Sequence, residues 1–142
     1  MTDVSFYTRS VQTLRKAYQL LIAEDQGSIS YDMYRSACVK EFEIILEQTG
    51  KLLRKRLRPF FHSGKEADQL YFKDLFRHSV QRSLITDEAC ERWLSYRDNR
   101  NSTAHDYGMQ FAENTLSLIP SFITDAEQMA EIFKNTPDES EA

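Results

Sequence analysis

Glycine and proline are scarce, with only 4 and 3 in 142 residues. So few chain-reversing residues suit a handful of long helices and argue against many short strands joined by tight turns. No apolar run approaches the roughly 20 residues that a membrane span needs. The opening MTDVSFYTRS lacks the basic start and apolar block of a signal peptide, so a cytoplasmic protein away from membranes is expected. Only two cysteines occur, Cys38 and Cys90, far apart and both on apolar helix faces. Buried free thiols in a reducing compartment are the expectation. There is no C-x-x-C pair, and His62 and His78 have no companion at ligand spacing, which argues against a structural zinc site. Neither a Walker-type glycine loop nor a dinucleotide fingerprint is present, so no bound cofactor is expected. Positive charge is not in excess either: 18 Lys and Arg face 22 Asp and Glu, a net charge of −4. That balance argues against a protein held to DNA by bulk charge and leaves a local basic site open.

What is present is apolar periodicity. Hydrophobic residues make up 41% and aromatics 12%, enough for one domain with a real core. From about Asp3 to Glu24, Tyr7, Val11, Leu14, Tyr18 and Leu21 recur at helical steps. Ser28 or Ser30 is placed to cap a second, longer helix, which keeps its period through Tyr31, Cys38, Phe42, Ile45, Thr49, Leu53 and Leu57 to about Phe61. Pro59 marks its end. A polar loop, His62 to Asp68, leads to a shorter helix carrying Phe72, Leu75, Phe76, Val80 and Leu84. Thr86-Asp87-Glu88 opens a fourth, a capping hydroxyl followed by two acids where the helix dipole favours them. It holds Ala89, Cys90, Trp93 and Leu94, runs into RDNRNSTAHDYG and stops at Gly108. A last helix spans about Gln110 to Phe133, kinked or restarted at Pro120. The reading is an all-α bundle of four to five antiparallel helices forming one domain over residues 1–134, with a disordered acidic tail at 135–142.

The segment from Arg97 to Tyr107 breaks the apolar pattern. The face that starts at Ala89 and Trp93 should continue at Arg97, Arg100 and Ala104, so two arginines arrive where core leucines are expected. At 3.6 residues per turn, Arg97, Arg100, Asn101, Ala104, His105 and Tyr107 share an arc of about 160°. Arg100 and His105 stand about 140° apart on a straight helix. They can flank a ligand, or a partner chain can complete the site, without touching one another. Arginine forks two bonds onto a phosphate, and histidine exchanges a proton near neutral pH. The plainer alternative is a helix end whose arginines pair with Asp98, Asp106 or Glu91, and spacing alone leaves both open. Arg54-Lys55-Arg56-Leu57-Arg58 puts four cations in five residues. It reads as a solvated helix end or, failing that, as an RNA groove or a docking surface.

Residue order adds to the chemistry. Arg100-Asn101-Ser102-Thr103-Ala104-His105-Asp106-Tyr107 resembles the signature of the HEPN superfamily in the R-x4-H-x-Y form of its HepT-like members, the nucleotidyltransferase substrate-binding proteins. The preceding FKDLFRHSVQRSLITDEACERWLSYRDN is similar to the core of that group, and the likeness runs from the first helix to about Phe133. The resemblance implies an up-and-down bundle that forms a homodimer with its two motifs face to face. It implies a metal-independent endoribonuclease toxin with RNA as substrate. Its antitoxin would be a separate minimal nucleotidyltransferase chain that adds AMP to the motif tyrosine. Carried onto this chain, Arg100 and His105 are the catalytic pair, Asn101 supports them and Tyr107 is the AMPylation site. Arg97 lies outside the motif, and its supporting role rests on helix geometry alone. The competing expectation is a non-catalytic substrate-binding subunit of a nucleotidyltransferase complex.

Overall fold

The computed structural model describes residues 3–102 and 109–136. Six α-helices carry the described chain: α1 (Asp3–Ile22), α2 (Ile29–Leu57), α3 (Gly64–Asp68), α4 (Phe72–Gln81), α5 (Asp87–Ser102) and α6 (Met109–Asn135). No strand occurs among the described residues, and no described helix is long and apolar enough to cross a membrane. The fold is all-α, as the periodicity requires.

Each boundary has a local cause. The Gly27 amide donates to Asp25 Oδ1 in the first connection, and Ser28, rather than Ser30, caps α2 by accepting from the Tyr31 amide at 3.0 Å. Leu57 ends α2, and Arg58–Phe60 tightens into a 3₁₀ turn around Pro59, which has no amide to continue the ladder. The expected loop from His62 to Asp68 instead contains the short α3, because Ser63 accepts from the Glu66 amide at 3.1 Å. Helix α4 stops before Leu84. Ser83 takes φ 60°, its amide returns to the Val80 carbonyl, and the Leu84 amide reaches the Ser79 carbonyl, a left-handed helix stop of the Schellman kind. Pro120 does not restart α6, which continues through it with the ring on an exposed face.

Helix directions follow from the contacts. Tyr7 of α1 meets Thr49 of α2 at 2.8 Å, and Arg15 pairs with Glu127 of α6, so α1 runs antiparallel to both. Arg92 and Tyr96 of α5 meet Asp125 of α6, and Asn99 meets Thr115, so α5 and α6 are antiparallel. The four long helices therefore alternate in direction, and α3 and α4 are inserted in the link between α2 and α5. The core is rich in aromatic rings: Phe42, Phe76, Trp93, Tyr96 and Phe122 are all buried and packed at centroid separations of 4.5 to 6.4 Å. Cys38 and Cys90 are buried free thiols, and burial pushes the Cys38 thiol up to about 11.

Candidate functional site

Helix α5 carries the arginines of the motif. Its start is fixed by Thr86, whose Oγ1 accepts from the Ala89 amide at 3.1 Å, with Asp87 and Glu88 in the first turn. Its inward face runs Cys90, Trp93, Tyr96. Trp93 stacks on Phe76 of α4 at 5.5 Å and meets Phe122 of α6 edge-on at 5.4 Å.

The expected continuation of that face through Arg97 and Arg100 is not what the fold builds. The helical step from Trp93 falls three residues on, so Tyr96 fills the core position. Arg97 is displaced to the edge, half-buried, with its guanidinium 4.8 Å from the centre of the Phe72 ring. Arg100, one turn further, is exposed. Helix α5 continues to Ser102, so Arg97, Arg100 and Asn101 share one helical register. The Asn101 side chain lies outside the described residues, as do His105 and Tyr107 with the whole of 103–108.

Three polar links fasten α5 to α6 beneath this exposed face. Arg92 forks onto the buried Asp125 carboxylate, Nε to Oδ2 and Nη2 to Oδ1 each at 2.9 Å. The Tyr96 hydroxyl donates to Asp125 Oδ2 at 2.5 Å and lies 3.0 Å from Ser121 Oγ. Burial and the bond to Asp125 hold the Tyr96 phenol well above its ordinary range, so it stays protonated. Nearer the end of α5, Asn99 Nδ2 donates to Thr115 Oγ1 at 3.1 Å. No motif of the sequence points to Tyr96, Arg92 or Asp125. The available signal was an acid, Asp125, on the apolar stretch of α6 between Ile123 and Ala126, directly opposite a helix with an arginine to match it.

The basic run from Arg54 to Arg58 is solvated only in part: the side chains of Lys55 and Arg58 are 43% and 39% exposed, and the rest of the run turns into the fold. Arg54 donates to the carbonyls of Ala67, Asp68 and Leu70, closing the end of α3. Arg56 is 2% exposed and donates to the Phe133 carbonyl with its guanidinium 4.9 Å from that ring. Lys55 pairs with Asp3, and Arg58 pairs with Asp68 at 2.6 Å. All four cations are engaged in tying α2 to its neighbours. Among the described residues, no group of three or more His, Cys, Asp or Glu is placed to hold a metal ion.

Residues 2–135 match the family described as "Nucleotidyltransferase substrate binding protein like". The chain belongs to that family. A curated relative, the probable ribonuclease HepT of Haemophilus influenzae, is 26% identical over 129 residues, spanning 91% of this chain and 86% of the relative. Two solved structures share the fold of this chain. One is a Haemophilus influenzae protein described as revealing the fold of a substrate binding domain of a nucleotidyltransferase. It has TM-score 0.76 and 20% identity, covering 92% of this chain and 98% of that one. The other is a protein of Thermus thermophilus with TM-score 0.69 and 23% identity, covering 90% and 98% respectively. The HepT-like resemblance drawn from the arginine–histidine–tyrosine motif therefore holds across almost the whole chain.

Proposed function

We propose that this protein is a metal-independent endoribonuclease of the HEPN type, working as a cytoplasmic homodimer, with Arg100 and His105 as its catalytic pair. The observation that carries the reading is the placement of Arg100. It is exposed on a helix fastened from behind by Asp125, Tyr96 and Asn99, in a chain related to a probable ribonuclease. A helix held that way fixes the position from which the Arg100 side chain starts, before any phosphate arrives.

The chemistry is economical. An RNA strand carries its own nucleophile, the 2′-hydroxyl, so no metal-activated water is required. His105 removes that proton, the 2′-oxygen bonds to phosphorus, and Arg100 balances the charge gathering on the non-bridging oxygens. The bond from phosphorus to the 5′-oxygen then breaks, and that oxygen takes a proton as it leaves. One chain supplies one motif histidine, so the second proton transfer falls to the histidine of a twofold-related copy. Asn101 and Arg97 support the pair. Arg100→Ala and His105→Ala should each lower the cleavage rate by a factor of roughly 10² or more with helicity unchanged, and EDTA should have no effect on the wild type. Rates within twofold of wild type in both variants would remove the pair from the reaction.

The same reading makes the protein a toxin, with Tyr107 as its control point. A minimal nucleotidyltransferase chain, the antitoxin, transfers AMP to that hydroxyl. The added phosphate, seven residues from Arg100, then occupies the place of the substrate phosphate. Intact mass after co-expression should rise by one or more AMP units, and Tyr107→Phe should abolish the rise. An unchanged mass in the co-expressed wild type, or a rise that survives in Tyr107→Phe, would contradict this control. A second reading is favoured by the family description itself: a non-catalytic subunit that presents the motif to a nucleotidyltransferase. It predicts a stable complex with that chain and RNA left intact under every condition.

A further inference from the structure

A groove of about 400 Å³ lies between α4 and α5 and opens beside Arg97. No motif of the sequence points to it. One wall is the start of α4, with Tyr71, Phe72, Lys73 and Arg77, and the other is the face of α5 that ends in Arg97 and Asp98. Tyr71 is 78% exposed, a large aromatic ring left in water at the lip. Lys73 and Arg77 are also exposed, and neither forms a salt bridge with a described residue. Arg97 is held in place because Phe72 is held. The Phe72 ring packs against Gly50 of α2, where even a Cβ would come within 3.4 Å of it, and the Arg97 guanidinium rests on that same ring.

We infer that this groove is a subsite for a nucleotide flanking the scissile phosphate of a single-stranded RNA. Lys73, Arg77 and Arg97 engage the backbone, and Tyr71 stacks a base. The inference rests on the ribonuclease reading above and adds where the strand runs. An aromatic platform with interleaved cations is the recurring solution for single-stranded nucleic acid, because every base has a face to stack and every linkage a charge to neutralise. The volume is within the range of small-ligand sites. Glu91 and Asp98 also line the groove, and their carboxylates accept the amino protons that base edges offer, which confines the phosphates to the cationic lip. Arg100 follows Arg97 by one turn, about 4.5 Å along the axis, so a strand leaving the groove along α5 arrives at the motif. The run from Arg54 to Arg58 offers no comparable track, since its side chains are committed to the fold.

The test is equilibrium binding to the full-length protein of a short single-stranded RNA, 2′-O-methylated so that it has no nucleophile to cut itself, and carrying 2-aminopurine, whose fluorescence falls on stacking. Tyr71→Ala should weaken binding roughly tenfold and remove the quench, while Tyr71→Phe should preserve both. The double charge reversal Lys73→Glu with Arg77→Glu should weaken binding at least as much and lower the salt dependence by about 1.5 units of slope. All three positions are exposed or at the groove lip, and circular dichroism confirms that the variants fold. Wild-type affinity and quench in Tyr71→Ala and the double variant, with binding still lost in Arg100→Ala, would overturn the subsite and leave the ribonuclease reading standing. RNA affinity unchanged in the groove variants, but the nucleotidyltransferase complex lost, would reassign the groove to protein docking and overturn the inference. A wild-type protein that binds no RNA overturns both readings.

Discussion

Asp125 is the residue on which the exposed face of α5 depends. It is 4% exposed, yet it carries a carboxylate that accepts from both Arg92 and Tyr96. Asp125→Ala removes the acceptor shared by the Arg92 guanidinium and the Tyr96 phenol, leaving Tyr96 only Ser121, and should cost about 1.5 kcal/mol of stability by urea denaturation. A loss below about 0.5 kcal/mol would show that the network contributes nothing to the fold. Titration tests the same region independently. Burial raises the phenols of Tyr7 and Tyr96, and the thiol of Cys38, above their ordinary values. The unfolded chain therefore gives up these protons at a lower pH than the folded chain does. The stability they contribute is complete below about pH 8.5, the ordinary thiol value, and is lost as pH rises through and beyond the ordinary tyrosine value near 10. Of the 7 tyrosines, Tyr7 and Tyr96 should ionise only together with loss of helix. Seven phenols titrating near pH 10 with the helices intact would contradict their burial. None of this was visible in residue order, because a tyrosine and an aspartate 29 positions apart signal nothing until two helices lie side by side.

At the scale of the element, the apolar periods located the long helices to within a few residues, and the misses have physical causes. Helix α3 is too short to show a period, and it exists because Ser63 caps it and Arg54 closes it. The early stop of α4 rests on Ser83 in a conformation usually reserved for glycine. Ser83→Gly should therefore stabilise the protein by about 1 kcal/mol, read as a higher urea midpoint at unchanged slope. A destabilised variant would mean that the Ser83 side chain contributes more than its backbone costs. Pro120 leaves α6 unbroken, so of the two outcomes expected there, a kink or a restart, the restart does not occur. Proline usually interrupts a helix, but here the missing amide bond falls in a 27-residue helix anchored on both sides by Ile119, Phe122 and Ile123 in the core. Tyr96 was passed over because both steps of three and of four fit a helix, and the step of four led to Arg97 instead.

For the molecule as a whole, the fold class was legible because scarce glycine and proline, with 41% hydrophobic residues at helical spacing, leave little besides a bundle. The candidate site was legible only as far as its motif. Arg97 and Arg100 are where the helix reading puts them along the chain, but the pinning of α5, the groove beside it and the engagement of Arg54 to Arg58 are tertiary. The proposed reaction, with its two proton transfers, calls for a twofold pairing of the motifs, and on that proposal light scattering should give about 33 kDa, twice the chain mass of 16.7 kDa. A single-chain mass at all micromolar concentrations would contradict it. The central claim, that the RNA's own 2′-hydroxyl is the nucleophile at Arg100 and His105, is tested most directly by the chemistry of the cut ends. Mass spectrometry of RNA incubated with purified protein in EDTA should find 2′,3′-cyclic phosphate and 5′-hydroxyl termini, absent with His105→Ala. Termini carrying 3′-hydroxyl and 5′-phosphate, or RNA left uncut by the dimer, would contradict it.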